Sequence, residues 1–98
     1  MTNELRINGQ RLWDSIMEMA KIGATKNGGS HRLTLSDEDK VGRDLFASWC
    51  NDAGLVMSID EFGDMFARRD GTDNSQDPVG MGSHLDTQPF GGRFDGVL

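Results

Sequence analysis

The sequence predicts a small α/β unit: two helices, then a β-hairpin, then a further strand of a mixed sheet, all within one domain. Three observations predict it. Apolar residues recur every three or four positions in two early stretches, the period falls to two just after Gly54, and the chain closes on a glycine-rich run, Gly82 to Leu98. The residue types of that last run suit chemistry more than packing.

Composition narrows the functional classes. The chain has 98 residues, enough for one small domain and not for two. Hydrophobic residues make up 36%, so the core is expected to be thin. Asp and Glu number 16 against 10 Lys and Arg, a net charge of -6. That balance opposes nucleic-acid binding, which needs a basic stripe to displace counterions, and opposes docking on an anionic membrane. The sequence has no long apolar run, and Met1 to Gln10 is polar, unlike a secretory signal. The lone Cys50 has no partner within the chain, so a reducing cytoplasm is the expected compartment.

The first helix is predicted from Asn8 to Ile22. Asn8 can cap it, Leu12, Trp13, Ile16, Met19 and Ala20 share one face, and Gly23 can end it. Residues 24–33 read as a loop, with Asn27, Gly28, Gly29 and Ser30 as turn formers. Ser36 followed by Asp37, Glu38 and Asp39 marks the second helix start, with acids at the positive end of the dipole. Val41, Leu45, Trp49 and Ala53 form its apolar stripe, and Gly54 stands where a left-handed cap belongs. Leu55, Met57 and Ile59 then alternate with Val56, Ser58 and Asp60 as a strand. A turn over Glu61 to Asp64 returns the chain as Met65 to Arg69, completing the hairpin. Asp70 to Pro78 is polar. Its acids do not follow the calcium-loop order, so it reads as a solvated turn. Val79 to Ser83 is predicted as a short buried strand that delivers the final run.

Chemistry concentrates at the end of that strand. His84 would lie at a sheet edge of the kind that binds ligands in open α/β sheets. Asp86, two residues on, shares its face on an extended backbone, as a carboxylate orienting an imidazole must. Gly91 and Gly92 permit the backbone to fold back and bring Asp95 toward His84. Gly96-Val97-Leu98 looks like a helix entry, which would set Asp95 at a helix N-terminus. Imidazole and carboxylate together suit zinc or another divalent first-row metal. Taken alone, His-x-Asp is more often a structural pair, and a double glycine is more often a turn. His31 has no neighbouring ligand pattern and reads as surface. Trp13 and Trp49 read as core, and Arg68 and Arg69 face opposite ways, leaving one of them solvated. Gln88 and Arg93 lie in the same loop without a role that their residue types establish, so the substrate-binding residues stay unknown.

As a whole, Gly82-Ser83-His84-Leu85-Asp86-Thr87-Gln88-Pro89, with Gly91-Gly92 and Asp95-Gly96, resembles a family of zinc-dependent amidohydrolases. These are the N-carbamoyl-L-amino-acid hydrolases, allantoate amidohydrolases and yeast-type β-ureidopropionases of the di-zinc aminopeptidase-like superfamily. Ile22 to Thr25, Gly28-Gly29 with Arg32-Leu33, and the acidic start after Ser36 also resemble that family's N-terminal region. The short separation of His84 from Asp95 is similar to the carbamoylase branch, whereas related dipeptidases and deacylases carry a longer insertion there.

The resemblance implies that His84 is a metal ligand, Asp95 a carboxylate bridging two metals, and Asp86 the acid that orients His84. It implies two divalent ions, zinc first, with manganese, cobalt or nickel accepted by the same donors. The implied activity is hydrolysis of an amide or ureido C–N bond, with an N-carbamoyl-L-amino acid, allantoate or β-ureidopropionate as substrate. Family members are far longer, pair through a second domain into homodimers, and supply a general-base Glu and further ligands that this sequence lacks. The chain is therefore expected to be the N-terminal portion of a catalytic domain, residues 1–98, without the dimerisation or lid domain and inactive alone. The alternatives are a peptidase or acylase of the same superfamily, or a non-catalytic truncated interaction module.

Overall fold

The computed structural model describes residues 4–96 of the chain. They form a small α/β arrangement of two helices followed by a two-stranded antiparallel sheet.

Helix α1 spans Gly9–Ala20, and the Asn8 side chain caps it by accepting from the Arg11 N–H at 3.0 Å. The predicted apolar face is covered only at its C-terminal end. Met19 and Ala20 are buried, but Leu12 and Trp13 are 47% and 52% exposed. Trp13 is thus no core residue; its ring meets Phe94 of the terminal run, with centroids 6.0 Å apart. Gly23 ends this region with φ at 78°. Only glycine fits there, because a Cβ would lie 2.4 Å from the His31 carbonyl oxygen.

Helix α2 spans Asp37–Asp52, and Ser36 Oγ accepts from the Asp39 N–H at 3.1 Å. The buried Asp39 carboxylate reaches back one residue further than a capping box predicts, taking the Leu35 N–H at 3.0 Å. The covered face of α2 is also rotated from the predicted stripe. Val41 is 53% exposed, whereas Asp39, Gly42 and Cys50 are buried. The reason lies at Gly42, where a Cβ would come within 3.1 Å of Arg32 Cδ and 3.3 Å of Met19 Sδ. The missing side chain makes room for Arg32 and Met19.

Gly54, with φ at 80°, closes α2 as predicted. Strands β1 (Val56–Ile59) and β2 (Met65–Arg68) pair antiparallel, with Val56 opposite Arg68 and Ile59 opposite Met65. The Asp60 carboxylate organises their turn by accepting from the Phe62 and Asp64 N–H groups at 3.0 and 2.8 Å.

The further strand at Val79 to Ser83 is not present. Residues 77–88 carry no strand, and Val79 and Met81 are 90% and 92% exposed. An apolar run needs a neighbouring strand to satisfy its backbone, and among the described residues none lies beside it. The sheet is accordingly antiparallel rather than mixed. The residues read as a plain loop, 24–33, instead supply the pairing partner of the terminal run. Ser30 bridges both Ala24 and Gly91, and the Thr87 N–H donates to the Arg32 carbonyl at 2.7 Å.

Candidate functional site

The terminal run is held against α1 by one buried side chain. Arg32 is 1% exposed. Its Nη1 donates to the carbonyls of Met19 at 3.0 Å and Ile22 at 2.7 Å, while Nε donates to the Leu85 carbonyl at 2.9 Å. Its backbone N–H donates to Thr87 Oγ1 at 2.8 Å. One guanidinium therefore ties the open carbonyls at the end of α1 to the backbone between His84 and Asp86. Burial pulls the Arg32 guanidinium down from its ordinary range, and the nearby Asp39 and Asp86 carboxylates oppose that pull. Arg32 stood in the sequence only within the run Gly28-Gly29 with Arg32-Leu33 that carries the resemblance, and an arginine between His31 and Leu33 has no local signal of burial.

On this seam His84 and Asp86 meet. His84 Nδ1 lies 3.0 Å from Asp86 Oδ1 and 2.9 Å from the Asp86 backbone carbonyl oxygen. A carbonyl oxygen only accepts, so Nδ1 carries the hydrogen in the neutral ring. That leaves the Nε2 lone pair free to ligate or accept. The second oxygen of Asp86, Oδ2, accepts from Thr34 Oγ1 at 2.6 Å. This hydrogen bond first, and then the attraction of His84, holds the Asp86 carboxyl below the usual carboxylate range against partial desolvation. Thr34 lies 52 residues from Asp86 in the chain, and no local pattern singles it out.

Asp95 comes to the same place from the other end of the loop. Its Oδ2 accepts from the Gly92 N–H at 3.1 Å, and His84 and Asp95 line one pocket of about 250 Å³ with Thr87, Gln88, Gly91 and Gly96. Two glycines lie closely against the side chains of the site. A Cβ at Gly92 would lie 2.6 Å from Asp95 Oδ2, and one at Gly96 would lie 1.9 Å from His84 Nε2. Ser83 Oγ donates to the Gly96 carbonyl, closing the loop on itself. Gly96 has φ at 78°, so the chain is in a turn there rather than a helix. The predicted continuation through Val97 and Leu98 lies outside the described residues.

His84 is exposed and does not stand at the end of a buried strand, as the sequence implied. Gln88 lines the pocket, whereas Arg93 reaches toward Gly28. His31 is exposed, as expected, with its ring edge-on to Phe90. Among the described residues no three His, Cys, Asp or Glu side chains gather into a metal-ligand set. The donor chemistry nevertheless fits a divalent ion: an imidazole with a free Nε2 and a carboxylate face one pocket. Within the described residues, no helix is long and apolar enough to cross a membrane.

No protein-family model matches the chain. It is 61% identical over 93 residues to an N-carbamoyl-L-amino-acid amidohydrolase of Rhizobium meliloti, covering 95% of this chain and 22% of that protein. It is 40% identical over 92 residues to an N-carbamoyl-L-amino acid amidohydrolase of Geobacillus stearothermophilus, covering 94% of this chain and 22% of the relative. Its fold matches the crystal structure of a hydantoinase/carbamoylase family amidase from Burkholderia ambifaria, with a TM-score of 0.92 and 61% identity. That match covers 96% of this chain and 23% of the other. The chain thus spans about 22% of the length of the curated relatives it matches.

Proposed function

We propose, from a chain related over nearly its whole length to N-carbamoyl-L-amino-acid amidohydrolases and hydantoinase/carbamoylase amidases, that it is the N-terminal portion of the catalytic domain of a metal-dependent amidohydrolase. The reaction is hydrolysis of the ureido C–N bond of an N-carbamoyl-L-amino acid, and water consumption yields the free amino acid, carbon dioxide and ammonia. The observation that carries this reading is the pocket shared by His84 and Asp95, with the His84 tautomer directed by Asp86.

In this reading His84 and Asp95 would be the residues of this chain that hold divalent metal, zinc being the expected ion. When bound, such ions lower the pKa of a coordinated water and polarise the carbonyl under attack. Asp86 favours the proton of His84 on Nδ1, so that Nε2 stays a ligand nitrogen. Asp95 is held by the Gly92 N–H, which sets the direction of its carboxylate. The remaining ligands, the general-base Glu and the pairing domain belong to a longer polypeptide, which we expect to form a homodimer. The buried, lone Cys50 fits a cytoplasmic protein.

The test is made on a polypeptide that carries this segment followed by the rest of a family-length chain. Hydrolysis of N-carbamoyl-L-amino acids is assayed beside allantoate, β-ureidopropionate and peptides, with metal content measured in parallel. His84→Ala and Asp95→Asn are each expected to lower bound metal and to reduce kcat at least a hundredfold, by analogy with loss of a catalytic ligand. Preferential cleavage of peptides would replace this reading with the peptidase or acylase alternative. Full turnover by both variants would refute the assignment of the site.

A further inference from the structure

We propose that Thr34 is a positioning residue of the His84 site: its hydroxyl holds one oxygen of Asp86 so that the other stays on His84 Nδ1 and Nε2 remains the nitrogen open to a ligand. The inference rests on the proposed function in one respect only, the value of a fixed tautomer to metal binding.

The geometry divides the two oxygens of Asp86. Oδ2 takes the Thr34 hydroxyl at 2.6 Å, and Oδ1 faces His84 Nδ1 at 3.0 Å. A carboxylate rotates readily about its last torsion, so a single partner leaves it free to turn. A donor on the second oxygen removes that freedom. The restraint matters because the pair stands in water: the side chains of His84 and Asp86 are 57% and 36% exposed. Solvent competes for both groups, and an exposed ion pair by itself is weak.

Thr34 can do this because its backbone is not loose. Just before it, Arg32 donates its backbone N–H to Thr87 Oγ1 at 2.8 Å and accepts the Thr87 N–H at 2.7 Å. The Arg32 Nε bond to the Leu85 carbonyl, at 2.9 Å, fixes the residue that precedes Asp86. Residues 32 and 85–87 are thus pinned together on both sides of the Asp86 side chain, and Thr34 is carried into register with it. The competing account is a surface threonine in a turn whose hydroxyl merely finds the nearest acceptor. It predicts no change at His84 when the hydroxyl is removed.

The experiment uses the ¹⁵N-labelled chain, whose two histidines are His31 and His84. Long-range ¹⁵N spectra of the imidazoles are recorded at about pH 8, above the ordinary imidazole range. Wild-type His84 should show the Nδ1–H tautomer. Thr34→Val, which removes the hydroxyl and keeps the shape, should raise the Nε2–H form several-fold, whereas Thr34→Ser should preserve the wild-type ratio. His31 should not move in either. Thr34 is exposed, so neither variant alters packed surface, and the amide spectrum reports the fold.

Zinc affinity by chelator competition, measured on a polypeptide that carries this segment followed by the rest of a family-length chain, gives a second readout. Thr34→Val should weaken it by about tenfold, the scale found when a partner behind a metal ligand is lost, with Thr34→Ser within about twofold of wild type. An unchanged tautomer ratio in Thr34→Val, a mixed ratio already in wild type, or equal behaviour of Val and Ser would each overturn the role of Thr34. Zinc affinity that ignores His84→Ala would instead remove the ligand reading, and the tautomer ratios would still decide the positioning role.

Discussion

Asp86 presents two acceptors to one side of the His84 ring, its backbone carbonyl and its carboxylate, so the tautomer follows from elementary hydrogen-bond chemistry. A charge held this way also links stability to pH. The Asp86 carboxyl is depressed in the folded chain, chiefly by Thr34. The folded value lies below the unfolded one, so the contribution of the charge is complete above the unfolded aspartate range, about pH 4, and is lost as pH falls through the folded value. Urea midpoints of wild type and Asp86→Asn should therefore differ most near neutrality and converge below about pH 4. A gap that widened on acidification would contradict the assigned interaction. The His-x-Asp spacing was legible because an extended backbone returns to the same face every second residue. Thr34 was not, since it is remote in sequence from Asp86, and no local period relates the two.

Among the elements, the capped ends were the most legible. Asn8, Ser36 and Gly54 act through neighbours within one turn, so their roles survive whatever the rest of the chain does. The faces of the helices were less so. Arg32 enters between α1 and α2, and Gly42 accommodates it at the cost of a residue that weakens an isolated helix. The seam between residues 30–32 and 87–91 was missed because its residues are those of turns: Gly29, Ser30, Pro89 and Gly91. A substitution at Gly29 tests that seam. A Cβ there would lie 2.6 Å from the Gly91 carbonyl oxygen, which is backbone and cannot swing aside. Gly29→Ala should cost about 1–3 kcal/mol by overpacking, and should raise amide exchange at Ser30 and Gly91. Gly54→Ala serves as the contrast, because a Cβ there meets nothing within 4 Å. It should cost only the left-handed strain of about 1–2 kcal/mol, without effect on exchange at the seam.

Seen entire, the chain is flat and open. Its radius of gyration is 15.5 Å, with extents of 48 × 39 × 20 Å, against about 13 Å for a compact domain of this length. Met19, Ala20 and Cys50 are the buried apolar residues among those described, while Val79, Met81 and Phe90 are at least 90% exposed. So little buried area gives a shallow dependence on denaturant. The isolated chain should unfold broadly in urea and bind a hydrophobic dye strongly in its folded state. A steep transition without dye binding would show that the exposed apolar residues are covered in solution.

The sequence by itself determined the helices, their caps, the hairpin and the chemical run, because each is written in local spacing or in residue types with narrow chemical uses. It also implied the relationship to amidohydrolases, through a motif carrying His84, Asp86 and Asp95. Only the tertiary structure decided that Val79 to Ser83 lacks a partner strand, that Arg32 is buried as the tie between α1 and the site, and that Thr34 stands behind Asp86. Strand pairing, burial of a charge and a hydrogen bond between distant residues depend on what lies opposite in space, and that is set by how the chain returns on itself rather than by any stretch of it.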